Sequence, residues 1–515
     1  MEDSGSSKDS KELNDSQDTD PSTVATDVEA LKMETDDQEK IEQAEEFKKQ
    51  GNEAFQDSRY QEAYDLYTKA ADLCVGGKKQ AVYFSNRAFA SIRLENYGIA
   101  VVDAKAALDI DPKFVKAYYR RGSALFALGK YKESVRDFLK VCKMFPKSKE
   151  ARTKYAVAKK AKVEMEFASC IAVEEVKIEI DPEDIIVEES YSGPVITSRE
   201  EINVEWVLAL MQHFKEEKKL HKKYVVMLIN FLMDSTKEQD ALVDIEVPED
   251  GDITICGDTH GQYYDLMNIF EKNGYPSETN PYLYNGDFVD RGSFSVEVML
   301  TLIAWKIVFP NHVHLTRGNH ETKNMNKMYG FEGEVKAKYD MKLMELFSYS
   351  FWYLPLCFLI NKKVLVMHGG LFSKDGVKIE DLRKIDRFRE PPDSGLMCEL
   401  LWSDPCDQNG RYPSKRGVGC LFGPDVSEKF CEDNGLDYVV RSHEVKMEGY
   451  EFQKGGKVIT IFSAPNYCDQ SKNKGAWVKF NGKDMKPVFT QFDAVPHPDK
   501  RCMMYANPMF SQGMC

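Results

Sequence analysis

The sequence predicts two folded parts in one chain, an all-α helical solenoid followed by an α/β domain. Three observations lead to that prediction. Small and aromatic residues recur with a 34-residue period over residues 44–147. After about residue 200, short apolar runs alternate with helical stretches, and each run ends in a polar cluster. A chain of 515 residues is also too long for one ordinary core and divides naturally into domains.

Composition narrows the class. The 42% hydrophobic content is that of a globular protein, and no uncharged apolar run is long enough to cross a bilayer, so membrane insertion is not expected. The amino terminus, MEDSGSSKDS, lacks the basic-then-apolar pattern of a secretory leader. Twelve scattered cysteines with no CxxC predict reduced thiols and a cytoplasmic and nuclear setting. The net charge of −15 is concentrated at the start: residues 1–40 hold thirteen Asp/Glu against four Lys/Arg, with few large apolar side chains. Such a segment buries too little surface to offset its ordering entropy, and it is expected to be a disordered acidic tail. The remainder is mildly acidic and carries no nucleic-acid footprint.

The solenoid comes next. Pro112 and Pro146 are 34 residues apart, as are Ala88 and Gly122, and Tyr83 and Ala117. Three units begin near Ala44, Ala81 and Val115, and a three-residue insertion around residues 76–79 explains the longer first step. Gly51 and Ala63, Ala88 and Ala100, and Gly122 and Ser134 fall where two helices must cross closely, with Tyr60, Tyr67, Tyr118 and Phe138 predicted to fill the seams. This pattern resembles the tetratricopeptide repeat, a helix–turn–helix solenoid that binds peptides in its concave groove. Members that hold the acidic carboxyl terminus of heat-shock protein 90 class chaperones use a clamp of two Asn and three basic residues. The resemblance maps it onto Lys48 and Asn52 in KKQGN, Asn86 in FSNRA, and Lys116 and Arg120 in VKAYYR, with Arg93 nearby. Several fixed donors suit a terminal carboxylate, because they replace the water it loses.

Residues 148–199 are expected to hold a capping helix, rich in Lys and Ala, and then an acidic linker, Glu174–Pro194. A connection this short keeps the two parts at high effective concentration.

The α/β domain is expected over residues 200–495. DITICGDTHG ends in Asp258 and His260, and YLYNGDFVDRG in Asp287 and Asp290. HVHLTRGNHE ends in Asn319 and His320, KVLVMHGG in His368, DYVVRSHE in Arg441 and His443, and VITIFSAPNYC in Asn466 and Tyr467. Strands that deliver polar groups at their carboxyl ends build a crevice there. The residue types suit two divalent cations. Asp258 and His260, two apart, are expected to point to one side of an extended strand end. Asp287 can bridge two ions through its two oxygens, and Asn319, His368 and His443 would complete the second. Oxygen and nitrogen donors without thiolates favour manganese, iron or zinc, with magnesium also compatible. Four of the nine histidines lie in these clusters, which makes coincidence untenable.

GDTHGQ, GDFVDRGSFSVE, LTRGNHE, MHGGL, RSHE and FSAPNYCD resemble the phosphoprotein phosphatase family of Ser/Thr phosphatases. The resemblance implies a metallophosphoesterase sandwich and hydrolysis of phosphoserine and phosphothreonine in proteins by a water shared between two metals. One metal would be held by Asp258, His260 and Asp287, and the other by Asp287, Asn319, His368 and His443. His320 would be the general acid, oriented by Asp290, and Arg291, Asn319, Arg416 and Tyr467 would bind the phosphate. Thr316 departs from the leucine usual in LRGNHE but lies outside the ligand set. Phosphatases of this family that carry such repeats are held inactive by the solenoid. Residues 496–515 are therefore expected to form a short autoinhibitory helix on the catalytic domain, and Glu95 to contact the cleft. Against a phosphoesterase acting on nucleotides stand SAPNYC, RSHE and the repeats; against a non-enzymatic adaptor stands the complete ligand set. A monomer is expected.

Overall fold

The computed structural model describes residues 21–73, 77–170 and 178–506. Residues 1–20, 74–76, 171–177 and 507–515 lie outside the described residues. The first part of the acidic tail, part of the presumed insertion, the start of the linker and the end of the carboxyl-terminal tail fall there.

Seven helices form the amino-terminal part: α1 Pro21–Gln56, α2 Tyr60–Leu73, α3 Gly77–Arg93, α4 Tyr97–Ile110, α5 Val115–Ala127, α6 Tyr131–Met144 and α7 Lys149–Cys170. The α1–α2, α3–α4 and α5–α6 pairs are the three repeats, and α7 packs on α6 as the cap. α1 begins inside the segment expected to be disordered. Pro21 suits a first helical position, and extending an existing helix costs far less than nucleating one, so α1 runs outward from the first repeat.

The small residues act as the period predicts. A Cβ on Gly51 would fall 2.7 Å from the Tyr67 ring, and one on Gly122 3.2 Å from Asp137 and 3.3 Å from the Phe138 ring. Tyr67 and Phe138 are buried, whereas Tyr60 and Tyr118 are half-buried and lie under Arg93 and Arg121 instead. Two bidentate ion pairs, Arg87–Asp103 and Arg121–Asp137, repeat the same inter-helix link 34 residues apart. The turn inside each repeat passes through one left-handed residue: Ser58 (φ 61°), Glu95 (φ 62°) and Gly129 (φ 69°). The middle repeat thus carries an acidic side chain where the third carries glycine.

The described part of the linker is not loose. Ile180, Ile185, Val187 and Tyr191 pack against the catalytic core, and Glu183 and Glu188 pair with Lys223 and His221. The described part of the linker is therefore a strap along the α/β domain as well as a tether.

The α/β part contains fourteen short strands among the described residues. They are β1 Leu242–Ile245, β2 Asp252–Cys256, β3 Tyr282–Tyr284, β4 Val313–Leu315, β5 Cys357–Ile360, β6 Val364–Met367 and β7 Asp404–Pro405. Then come β8 Arg411–Pro413, β9 Cys420–Phe422, β10 Tyr438–Arg441, β11 Tyr450–Phe452, β12 Val458–Ile461, β13 Gly475–Asn481 and β14 Pro487–Phe492. One sheet has the order β14-β13-β2-β3-β4, the second β1-β5-β6-β10-β12-β11, and β7-β9-β8 form a small third sheet. Ile253, Ile255, Leu283, Val364, Val366, Val440, Ile459 and Val478 share one apolar cluster that joins the two large sheets. On the outer face of the first sheet lie α8 Val204–Lys215, α9 Lys222–Thr236, α10 Tyr263–Asn273 and α11 Ser295–Val308. Helix 424–434 and the apolar residues of helix 396–402 cover the second sheet. The central strands β2, β3, β6 and β12 are buried on both faces, which is why they read as continuous apolar runs. The product is a four-layer α/β/β/α sandwich. No helix among the described residues is long and apolar enough to cross a membrane.

Candidate metal and phosphate centre

The central strands β2, β3 and β4 run parallel in one sheet, as do β6, β10 and β12 in the other. Their carboxyl ends open at the same end of the sandwich, so six short loops converge there. A bridge between Asp258 and Phe462 joins the two sheets at that edge. The loops turn sharply. His260 (φ 41°), Asp287 (53°), Asp290 (71°), Arg291 (72°), His443 (71°) and Asn466 (43°) all adopt left-handed backbones, which non-glycine residues hold only when the surroundings enforce it.

That conformation corrects one expectation. Strand β2 ends at Cys256, so Asp258 and His260 are not on an extended end. The turn at His260, whose N–H donates to Asp287 O at 2.9 Å, brings the two side chains together, with His260 Nε2 3.7 Å from Asp258 Oδ2. Gly292 N–H closes the same turn on His260 O at 2.8 Å. A Cβ on Gly292 would fall 2.3 Å from that oxygen, so the crossing of the two loops requires glycine.

The structure brings all six expected ligands together, each buried. His260 uses Nδ1 on Val289 O (2.9 Å), which leaves Nε2 3.5 Å from Asp287 Oδ2. His368 donates from Nδ1 to Asn285 O (2.8 Å), so its other nitrogen, Nε2, lies 3.2 Å from Asp287 Oδ2, 2.9 Å from Asn319 Oδ1 and 3.3 Å from His443 Nδ1. Backbone acceptors that hold Nδ1–H present Nε2 lone pairs, the arrangement of metal-binding imidazoles. Ligand atoms of Asp287, His368 and His443 lie within 4.8 Å of one another, as do those of His260, Asp287 and His320. His443 Nε2 is buried with no hydrogen-bond partner.

Electrostatics point the same way. Burial raises Asp258 to about 7 and Asp287 well above the carboxylate range. Burial also lowers His260 and His443 well below the imidazole range, aided at His260 by His320 and Arg291 and at His443 by Arg416. Desolvated carboxylates beside neutral imidazoles form a site that a cation satisfies and a void does not. The residues present fit divalent metals.

Beside this cluster, His320 Nδ1 bonds Asp290 Oδ2 at 2.8 Å, and His320 N–H donates to Asp287 Oδ1 at 2.8 Å. Asp290 also accepts from Phe331 N–H (2.9 Å) and Asn326 Nδ2 (3.1 Å), and burial lifts it to about 7. Burial, Arg291, His368 and Arg416 together pull His320 well below the usual range. Arg416 donates from Nε to Asp404 Oδ2 (2.7 Å) and from Nη2 to His443 O (3.1 Å). The Tyr467 ring lies 5.3 Å from that of His260. Arg291 stacks 3.6 Å above the Tyr329 ring and forms an ion pair with Glu95 of the solenoid, so the arginine expected on the phosphate is engaged across the domain boundary.

That boundary is extensive. Tyr97 and Tyr329 hydroxyls bond each other, Ile99 N–H donates to Lys415 O at 3.2 Å, and a Cβ on Gly98 would fall 2.7 Å from Gly417 N. Met503 N–H donates to Arg291 O at 2.7 Å, and Cys502, Met503 and Ala506 join a cluster containing Ile92, Tyr97, Met328 and Tyr329. The expected tail helix is, over 502–505, a turn; it is held by these neighbours rather than by helical bonds.

On the solenoid's inner face, Asn86 Nδ2 lies 3.4 Å from Asn52 Oδ1, and Arg120 Nη1 donates to Asn86 Oδ1 at 3.1 Å and Ser85 Oγ at 2.7 Å. Lys116 is exposed one helical turn before Arg120. Lys48 pairs with Glu45 on its own helix, and Arg93 bonds and covers Tyr60. Asn52, Asn86 and Arg120 therefore meet, with Lys48 and Lys116 on the same helices.

Four further residues organise the centre. Glu321 accepts 2.8 Å bonds from the N–H groups of Asp287, Phe288 and Gly318, tying two ligand loops together. Asn326 spans His320 O (2.7 Å) and Asp290, Asp404 holds Arg416 and Arg441, and Tyr329 underlies Arg291. Only Glu321 carries a sequence cue, its place in GNHE.

Comparison with known proteins agrees with this geometry. Residues 251–447 match the calcineurin-like phosphoesterase family model, 153–244 the PPP5 TPR repeat region and 115–148 the tetratricopeptide repeat. The chain is 50% identical over 478 residues to serine/threonine-protein phosphatase 5 of Homo sapiens, covering 92% of this chain and 95% of that one. It is 49% identical to serine/threonine-protein phosphatase T of Trypanosoma brucei brucei, covering 90% and 98%. Among solved structures, a protein serine/threonine phosphatase from Saccharomyces cerevisiae with similarity to human phosphatase PP5 matches with a TM-score of 0.55. It is 45% identical and covers 57% of this chain and 96% of its own.

Proposed function

The chain belongs to the serine/threonine-protein phosphatase 5 family, and from that premise we propose that it hydrolyses phosphoserine and phosphothreonine in proteins by direct attack of water, under control of its solenoid. The observation that carries this reading is the convergence of six ligand residues and the His320–Asp290 pair at the carboxyl ends of two sheets.

Asp258, His260 and Asp287 would hold one divalent cation, and Asp287, Asn319, His368 and His443 a second. Manganese, iron, zinc or magnesium suit these donors. When bound, the pair supplies Lewis-acid neutralisation of the phosphate and an acidified water as nucleophile. Arg291 and Arg416 clamp phosphate oxygens, with Asn319 and Tyr467 beside them. His320, held through Nδ1 by Asp290, gives a proton from Nε2 to the departing seryl or threonyl oxygen. Burial, and then Arg291, His368 and Arg416, lower His320; a dianionic phosphate received by the two arginines offsets their share of that shift and favours the protonated imidazole.

With Glu95 on Arg291, the phosphate and the solenoid compete for one guanidinium. The described chain is, on this reading, the autoinhibited form. The acidic carboxyl terminus of a heat-shock protein 90 class chaperone, bound by Lys48, Asn52, Asn86, Lys116 and Arg120, would favour release and recruit the enzyme to substrates. The test is phosphate release from a phosphoserine peptide, after chelation and with manganese restored, by the full chain and by a chain lacking residues 1–175. Manganese-dependent release that increases on truncation is expected. No release under any condition would refute the enzymatic reading, and equal rates would refute autoinhibition.

A further inference from the structure

Two thiols with no part in hydrolysis meet where the loop after β12 touches the carboxyl-terminal segment. Cys468 follows Tyr467 directly, and Cys502 begins the turn at 502–505. Cys502 Sγ–H donates to Asp469 Oδ2 at 3.3 Å, and Asp469 is the next residue to Cys468. Cys468 packs against the apolar cluster that contains Cys502 and Met503. The surrounding backbone fixes their encounter: Ser293 Oγ–H donates to Arg501 O at 2.8 Å and Met503 N–H to Arg291 O at 2.7 Å. Both are reduced in the structure.

We propose that Cys468 and Cys502 are an oxidation site at which a hydroperoxide closes a disulfide, fastening residues 501–506 to the phosphate-binding loop. Cys468 is half-buried and Cys502 buried, so the oxidant meets Cys468 first. The Cys468 thiolate attacks the peroxide oxygen, the O–O bond breaks, and the departing alkoxide or hydroxide takes up the proton that Cys468 released on ionising, leaving as alcohol or water with formation of a sulfenic acid. Cys502 then attacks that sulfur, the S–O bond breaks, and hydroxide departs with the Cys502 proton as water. Two thiols are oxidised and one hydroperoxide is reduced. The neighbouring Cys502 thiol, with Arg291 nearby, holds Cys468 below the ordinary thiol range, which favours it as the attacking group.

The consequence rests on the autoinhibited reading above. Cys502 and Met503 share their cluster with Ile92 and Tyr97 of the solenoid, so the cross-link would hold one wall of the docked interface in place. The cysteines are 34 residues apart in sequence, so the cross-link removes the closure entropy of that loop, which residues 501–506 would otherwise regain on leaving the catalytic surface. The experiment treats the purified full chain with a limiting amount of hydrogen peroxide. It then maps disulfides by non-reducing peptide mass spectrometry and measures stimulation by an acidic chaperone-type carboxyl-terminal peptide before and after thiol reduction. A Cys468–Cys502 peptide is expected, with stimulation reduced on the order of tenfold and restored by reductant. Cys502→Ser, or Cys502→Ala if serine impairs folding, should keep its stimulation after peroxide. Absence of the cross-linked peptide while Cys468 is otherwise oxidised would overturn the site. An equal loss in the Cys502 variants would overturn its regulatory effect by locating the damage elsewhere. The cross-link is read by mass, so its failure is distinguishable from failure of autoinhibition, which the truncated chain reports.

Discussion

Replacing Glu95 by glutamine keeps the side chain's size and removes its charge from Arg291. The two side chains are 23% and 4% exposed, so the pair is largely shielded from water. A hydrogen bond to a charged group in such a setting contributes about 1.5–3 kcal/mol. The lower end applies here, because Arg291 keeps the Tyr329 ring 3.6 Å away and glutamine can still accept one bond. About 1.5 kcal/mol is roughly a tenfold change in the ratio of docked to released solenoid. Where the docked form dominates, basal turnover should rise by the same factor, up to the ceiling set by the released enzyme. The assay is steady-state phosphate release from a phosphoserine peptide by the full chain, with and without the acidic activating peptide. Basal rate should rise about tenfold while the fully stimulated rate stays the same. An unchanged basal rate in a folded variant would refute the role of the ion pair. A parallel rise in basal and stimulated rates would show that the substitution acts on the chemistry instead.

The remaining predictions address other parts of the assembly. His320→Asn should lower turnover on phosphopeptides by about 10²–10⁴-fold, with metal content by elemental analysis unchanged and a smaller loss on nitrophenyl phosphate, whose leaving group needs no proton. Gly98→Ala places a methyl group 2.7 Å from Gly417 N and 2.8 Å from Gly417 Cα. Backbone on the facing side cannot yield as a side chain would, so docking should weaken by about 1–3 kcal/mol and basal activity should rise without any change inside the catalytic centre. Arg120→Ala should weaken binding of an acidic carboxyl-terminal peptide on the order of tenfold or more by calorimetry, leaving basal phosphatase activity near its original value.

Parts of this protein were open to reading along the chain. The 34-residue spacing announces the solenoid, because two helices can cross closely only where Gly51, Ala88 or Gly122 leaves room. Asp258, Asp287, His368 and His443 stand out because strand ends rarely carry such residues without chemistry to perform. The geometry behind them is less legible. Spacing suggests an extended Asp258–His260 pair, yet left-handed turns set the ligands, and those turns depend on Gly292 and Glu321 from neighbouring loops. Asn326, Asp404 and Tyr329 carry no local pattern, since their roles arise only from what packs beside them.

Sequence by itself determined the two fold classes, because period and residue type are local properties; the candidate ligand set, the His320–Asp290 pair and the clamp residues came as expectations from local motifs and the family resemblance they carry. Tertiary structure decided the rest. Glu95 reaches Arg291 across 196 residues through a left-handed turn in which the third repeat has glycine. The acidic linker becomes a strap along the catalytic core, and residues 502–505 settle as a turn in the apolar cluster that holds Tyr97 and Tyr329 instead of a helix. Each of these outcomes depends on which surfaces meet when two domains dock. That is set by shape and burial over long separations, where no residue spacing carries a record.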